Sequence, residues 1–245
     1  MIEQDVVVTT KYGSCPSFAV CPEAPGQYPG IIFYMDAPGI REELRNMARR
    51  IARAGYFCLL PDMYYRLGTL RFDVARRDDS MAPVFLQAMH SLTNAKVMDD
   101  TGGWIGWLDA QEKCKPGPMG CVGYCMSGMH ITNAAAFYPH RIAAAASLYG
   151  VGIITDKEDS PHLFLDRIKG ELYYAFAETD RSVPPNIPGD LAKLLAKTNI
   201  RHEIKTFPGT EHGFAFPERQ IYNTLAAEET WDKMFAMWER TLKKG

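Results

Sequence analysis

The side chains able to do chemistry are densest in Gly120-Cys121-Val122-Gly123-Tyr124-Cys125-Met126-Ser127-Gly128. An apolar run ends at Tyr124 and a helical pattern opens at Met126, so Cys125 falls at a strand-to-helix turn. Gly123 stands two residues before it and Ser127 two after. Small-x-nucleophile-x-small is the pattern of a nucleophile elbow. Its cause is steric, because side chains at −2 and +2 would collide across so tight a turn. The turn would hold the sulfur above a sheet at a helix N-terminus, whose dipole favours a thiolate. Ser127 is the rival nucleophile, but its own flanking residues are Cys125 and Met129, and the frame selects Cys125. The competing reading is a buried cysteine beside an ordinary helix start.

A thiol nucleophile needs a base, and the base needs an orienter. Where the nucleophile sits on an elbow, the chain order is nucleophile, acid, histidine. After Cys125, His130 lies on the helix that follows, His140 and His162 come just after prolines, and His202 opens a strand. His212 alone falls in a loop beyond the last expected strand, within Phe207-Pro208-Gly209-Thr210-Glu211-His212-Gly213-Phe214. Gly209 and Gly213 free that loop to aim an imidazole. For the acid, Asp180 follows the strand Leu172–Ala177, at the strand end where doubly wound sheets place their sites. Glu178 is its near competitor, and a turn or cap role is the structural alternative for Asp180. Asp156, Asp159 and Asp166 lie in a polar insert. A further loop, Met35-Asp36-Ala37-Pro38-Gly39, follows an early strand. It would supply the second oxyanion N–H, at Ala37, with the first from Met126. Asp36 would then bring a carboxylate near the thiol, unless it caps the helix beginning at Arg41.

The elements that must position these groups follow from periodicity. Expected strands are Asp5–Thr10, Gly30–Asp36, Tyr56–Pro61, Met119–Tyr124, Ala143–Tyr149, Leu172–Ala177 and His202–Phe207. Several are almost continuously apolar, as in strands buried on both faces. Helical patterns cover Arg41–Ala54, Met126–Phe137, Ile187–Ala196 and Tyr222–Leu242, and the stretch Arg66–Gly117 reads as two helices with a long loop. Strands alternating with helices predict an α/β fold, a mostly parallel twisted sheet with helices on both faces. Without repeats or a Pro/Gly/Ser linker, the expectation is a single domain over 1–245.

Composition narrows the function classes. The chain has 245 residues, 47% hydrophobic and 23% charged, typical of a globular protein rather than a disordered or fibrous one. Lys+Arg 27 against Asp+Glu 29 leaves a net charge of −2, with no basic excess for a nucleic-acid partner. Glu3 and Asp5 stand where a signal peptide would be basic, and no apolar run nears the roughly 20 residues of a membrane span. The expectation is a soluble, cytoplasmic protein with no membrane partner. The six cysteines include no Cys-x-x-Cys pair and no zinc spacing, so no metal is implied.

Together these residues resemble the dienelactone hydrolase family of α/β hydrolases, from about Gly30 to about Leu242. The resemblance rests on Gly-Tyr-Cys-Met-Ser-Gly at 123–128, Asp-Arg-Ser-Val-Pro at 180–184 and Gly-Thr-Glu-His-Gly-Phe at 209–214. Looser matches are Gly55-Tyr56 running into Leu60-Pro61-Asp62-Met63-Tyr64, and the tail Tyr222…Ala226-Ala227-Glu228…Trp231. The resemblance implies a Cys125-Asp180-His212 triad that opens small-molecule esters or lactones through a thioester, without a cofactor. It also implies a carboxylate contacting the resting thiol. That residue is usually Glu, and Asp36, one methylene shorter, occupies the position here. The family's type enzymes hold a substrate carboxylate with arginines, one shortly after the histidine, whereas 213–218 here read Gly-Phe-Ala-Phe-Pro-Glu. Tyr64, Tyr65, Phe214 and Phe216 would line a more apolar pocket. Two other classes are a catalytically silent scaffold binding a small ligand or partner, and a redox thiol protein. A complete nucleophile-acid-histidine order argues against the first, and the lack of a nearby resolving cysteine against the second.

Overall fold

A computed structural model describes residues 1–74 and 80–243. Eight strands form one sheet: β1 (Ile2–Thr10), β2 (Gly13–Cys21), β3 (Tyr28–Tyr34), β4 (Phe57–Pro61), β5 (Cys114–Tyr124), β6 (Ile142–Leu148), β7 (Glu171–Thr179) and β8 (His202–Glu211). Their order is β1-β2-β4-β3-β5-β6-β7-β8. β1 and β2 pair antiparallel, as do β2 and β4, while β3–β4, β6–β7 and β7–β8 are parallel. The helices are α1 (Glu42–Arg53), α2 (Met81–His90), α3 (Asn94–Asp109), α4 (Gly128–Phe137), α5 (Ile187–Leu195) and α6 (Thr224–Trp238). The chain divides into two compact units, Met1–Met119 and Gly120–Gly245, with the division inside β5.

In the first unit every residue of β4 is buried, which explains its unbroken apolar sequence. α1 turns Leu44, Met47, Ala48, Ile51 and Ala52 inward, the 3–4 spacing of an amphipathic helix. Its outer face holds β1 through Arg45–Asp5 at 2.6 Å and Arg49–Glu3 at 2.9 Å. α3 starts at Thr93, whose side chain accepts from Lys96 N–H at 3.3 Å. It buries Trp104 edge-on to Tyr34 at 5.4 Å. The Arg66–Gly117 stretch thus resolves into two helices, α2 and α3, with a short 3-10 turn at Tyr65–Leu67 before them; residues 75–79 of that stretch lie outside the described residues.

In the second unit α4 packs on β6 and on a 3-10 segment, Pro161–Arg167, while α5 packs on β8 and α6 on β6 and β7. Among the described residues no helix is long and apolar enough to cross a membrane.

Several strands differ from expectation: β1 begins three residues early, at Ile2, and β5 five residues early, at Cys114, inside the stretch expected to be helices and a loop. β2 was not expected, because Gly13-Ser14-Cys15-Pro16 reads as turn sequence. Pro16 is tolerated because pairing to β4 begins only at Ser17, and its carbonyl still accepts from Asp62 N–H at 2.9 Å. β8 runs on past Phe207 to Glu211, through an irregularity opposite Ala177–Thr179 that accommodates Pro208 and Gly209.

Candidate active site

β5 delivers Tyr124 in extended conformation, and the chain reverses at Cys125, which holds φ +54°. A 3-10 turn, Cys125–Ser127, then leads into α4. A non-glycine residue there costs of order 1–3 kcal/mol and persists only where its surroundings dictate it. Those surroundings are visible. A Cβ at Gly123 would lie 2.8 Å from both Ser127 Cβ and Ile131 Cγ1, the collision the small residues avoid. Val151 N–H donates to the Cys125 carbonyl at 2.9 Å, and Met129 N–H donates to the Val151 carbonyl at 3.1 Å. Gly128 and Gly150 face each other so closely that a Cβ on either would strike the other's backbone. Cys125 is half-buried, while the other five cysteines are buried. Burial pushes the thiol of Cys121 well up and that of Cys15 to about 12, leaving both inert.

His212 follows β8 directly, its N–H donating to the Thr179 carbonyl at 3.2 Å. Its Nδ1 lies 2.7 Å from Asp180 Oδ2. Asp180 is itself fixed, because its Oδ1 accepts from Ser182 N–H at 2.8 Å and Val183 N–H at 3.1 Å. The turn role and the contact to histidine therefore use different oxygens of one carboxylate. Glu178 is committed elsewhere: its Oε2 accepts from Gly209 N–H at 2.9 Å. The second imidazole nitrogen, Nε2, is buried and makes no hydrogen bond of standard geometry. Burial opposes the imidazolium, but the Asp180 carboxylate and the Cys125 side chain outweigh it and push His212 up to about 9.

The other histidines lie elsewhere. His130 is enclosed in α4, where burial pulls it down to about 3. His162 bonds Ser160 Oγ at 2.7 Å, and His202 the Ile200 carbonyl at 2.8 Å.

Asp36 is fully buried and paired with Arg41 through both oxygens, at 2.5 and 3.1 Å. α1 has no side-chain cap, so the Asp36 contact runs to the guanidinium and not to the helix end. The Ala37 carbonyl accepts from Tyr64 Oη at 3.0 Å. Tyr65 Oη joins Thr10 Oγ1 at 2.6 Å and Asp100 Oδ1 at 2.8 Å. Met126 is buried in the turn after Cys125. Phe214 and Phe216 are fully buried in a ring cluster with Tyr124 and Tyr149.

Sequence reasoning missed three residues around this site. Tyr149 has its ring 5.0 Å from that of His212. Gly150 admits the backbone of α4, a role the spacing of Gly128 and Gly150 does not disclose. Arg219 lies against Gly213 with its guanidinium 5.1 Å over Phe216, one residue beyond the segment 213–218.

A strand-to-helix elbow, with an acid after β7 and a histidine after β8, is the arrangement of an α/β hydrolase. Residues 16–242 match the dienelactone hydrolase family, and the chain belongs to it. A Synechocystis sp. protein, assigned by inference as a carboxymethylenebutenolidase, is 29% identical over 91% of this chain and 90% of its own. A Mus musculus carboxymethylenebutenolidase homolog is 32% identical over 72% and 66%. The crystal structure of a Klebsiella pneumoniae protein, assigned by inference as a dienelactone hydrolase, superposes with a TM-score of 0.84 at 22% identity, covering 98% of both chains.

Proposed function

We propose that this protein hydrolyses a small-molecule carboxylic ester or lactone, with Cys125 as nucleophile, His212 as base and Asp180 as orienter. The observation that carries this reading is the 2.7 Å contact between Asp180 Oδ2 and His212 Nδ1, which leaves the buried Nε2 as the nitrogen free to serve the thiol. His212 Nε2 takes the Cys125 proton, and the thiolate attacks the carbonyl carbon. An S–C bond forms and the carbonyl oxygen gains negative charge, which the Met126 N–H at the elbow stabilises. On collapse the C–O bond to the leaving alkoxide breaks, and His212 returns the proton to that oxygen. A lactone substrate stays tethered as a hydroxyacyl thioester. Water, deprotonated by His212, then attacks the thioester, releasing the acid and restoring the thiol. No step needs a cofactor.

The test is a p-nitrophenyl ester series varied in acyl length and charge, with a lactone alongside. Cys125→Ala is expected to abolish turnover, and Cys121→Ala to leave it within a few-fold. Acid-quenched wild-type enzyme should carry the mass of one acyl group on the peptide containing Cys125. Equal losses at both cysteines, or full activity without Cys125, would overturn the assignment.

A further inference from the structure

Asp180 tethers one nitrogen of His212, and that hydrogen bond by itself does not fix the tilt of the ring. A second restraint comes from Tyr149, the residue after β6. Tyr149 is fully buried and stands at φ +39°, the second non-glycine residue, with Cys125, in the left-handed region among the described residues. Its N–H donates to the Ala175 carbonyl of β7 at 2.6 Å. Its ring meets His212 at 5.0 Å with an interplanar angle of 61°, and is backed by Phe214 at 5.3 Å and Tyr124 at 5.9 Å. The reversal it makes also brings Gly150 against α4 and sends Val151 N–H to the Cys125 carbonyl. One residue therefore touches the histidine through its ring and fixes the cysteine turn through its backbone. Left-handed strain on an aromatic residue is unfavourable, and strain of this kind collects where function requires a geometry. A glycine would make the same turn without strain but would supply no ring.

We propose that Tyr149 is a positioning residue whose ring holds the His212 imidazole in register with the Cys125 sulfur. The proposal rests on the triad reading above. It predicts that the ring, rather than the hydroxyl or the backbone conformation alone, sets the rate.

Three variants separate these roles. Tyr149→Gly relieves the backbone and removes the ring. Tyr149→Phe keeps the ring and removes the hydroxyl. Tyr149→Leu keeps buried volume without an aromatic face, and covers the case in which the glycine variant does not fold. The readouts are kcat and KM on the best p-nitrophenyl ester, and the pH profile of Cys125 alkylation by iodoacetamide, which needs no substrate. Tyr149→Gly and Tyr149→Leu are expected to lose roughly ten- to a hundredfold in kcat, the scale of an ångström-level misplacement. KM should stay within about threefold, and the alkylation profile should change from that of the wild type, because the ring that positions the base beside the thiol is gone. Tyr149→Phe should retain the wild-type profile and kcat within about threefold. Wild-type kcat and alkylation in either Tyr149→Gly or Tyr149→Leu would overturn the proposal, and so would a Tyr149→Phe loss as large as theirs. Failure of the triad reading looks different: turnover would then survive Cys125→Ala in the otherwise unaltered enzyme.

Discussion

Enclosing an imidazole ordinarily discharges it, as at His130, so the opposite outcome at His212 measures what its neighbours do. The folded value, about 9, lies above the unfolded value near 6.5. Its stabilising contribution is thus complete below about pH 6.5 and is lost as pH rises through about 9. His212→Gln should therefore cost more stability at pH 6 than at pH 10, read as the difference in urea midpoints; an equal cost at both would contradict the charged pair. Asp180→Asn keeps the shape but neither orients the ring nor stabilises its cation. A comparable change in a serine triad costs about four decades. A thiol needs less help from its base, so a loss of roughly ten- to a thousandfold in kcat is expected, with Glu178→Gln nearly silent. A larger loss in Glu178→Gln than in Asp180→Asn would move the acid by two residues. Cys125, Asp180 and His212 could be nominated from sequence because a turn, a strand end and a glycine-flanked loop each leave a local mark. Tyr149 leaves none: an aromatic residue after an apolar strand gives no sign of a left-handed φ. The Asp36–Arg41 pair was equally hidden, since five residues across a loop is not a helical spacing.

The elbow is held by the β6–α4 contact as much as by its own sequence. Gly128 and Gly150 touch where neither has a side chain, and the two hydrogen bonds through Val151 close the contact. Gly150→Ala would drive its Cβ into Ser147 Oγ and the Gly128 backbone. It should destabilise the protein by about 1–3 kcal/mol and also lower ester turnover, because the displaced element is the turn that carries Cys125. Gly106→Ala, in α3 with nothing near the new methyl group, should instead stabilise by up to about 1 kcal/mol. Thermal melts and ester turnover on both variants check the contrast. α1 was legible because its apolar spacing is regular, and its limits at Glu42 and Arg53 fall just inside those expected, whereas α2 and α3 were expected only as two helices without bounds. β2 was lost to its proline, and the last four residues of β8 to Pro208-Gly209, because local breaker signals do not show the neighbouring strand that overrides them.

At the scale of the whole molecule, the alternation of apolar strands and amphipathic helices sufficed for the fold class, since few arrangements bury strands that are apolar on both faces. It could not order the sheet, because pairings such as β2 with β4 join segments some forty residues apart and leave no local trace. That order has a consequence for the protein at high concentration. β1 and β8 end the row of described strands, so each offers unpaired main-chain groups to another molecule. β8 bears Glu203 and Lys205, engaged with Lys233 and Glu229 of α6. β1 carries Asp5-Val6-Val7-Val8-Thr9-Thr10, a sticky sequence whose Val7 is 60% exposed, and its guard is Glu3 and Asp5, paired with Arg49 and Arg45. The same two carboxylates that tie β1 to α1 are thus gatekeepers against strand-to-strand aggregation. Arg49 holds Glu3 below the usual carboxylate range, so the share of this protection that Glu3 supplies persists into mild acid. Glu3→Gln with Asp5→Asn should scatter light sooner on concentration at neutral pH, while leaving ester turnover in the dilute enzyme intact. The purified protein should then be most prone to fibrillar association in strong acid, with β1 as the seam along which copies join.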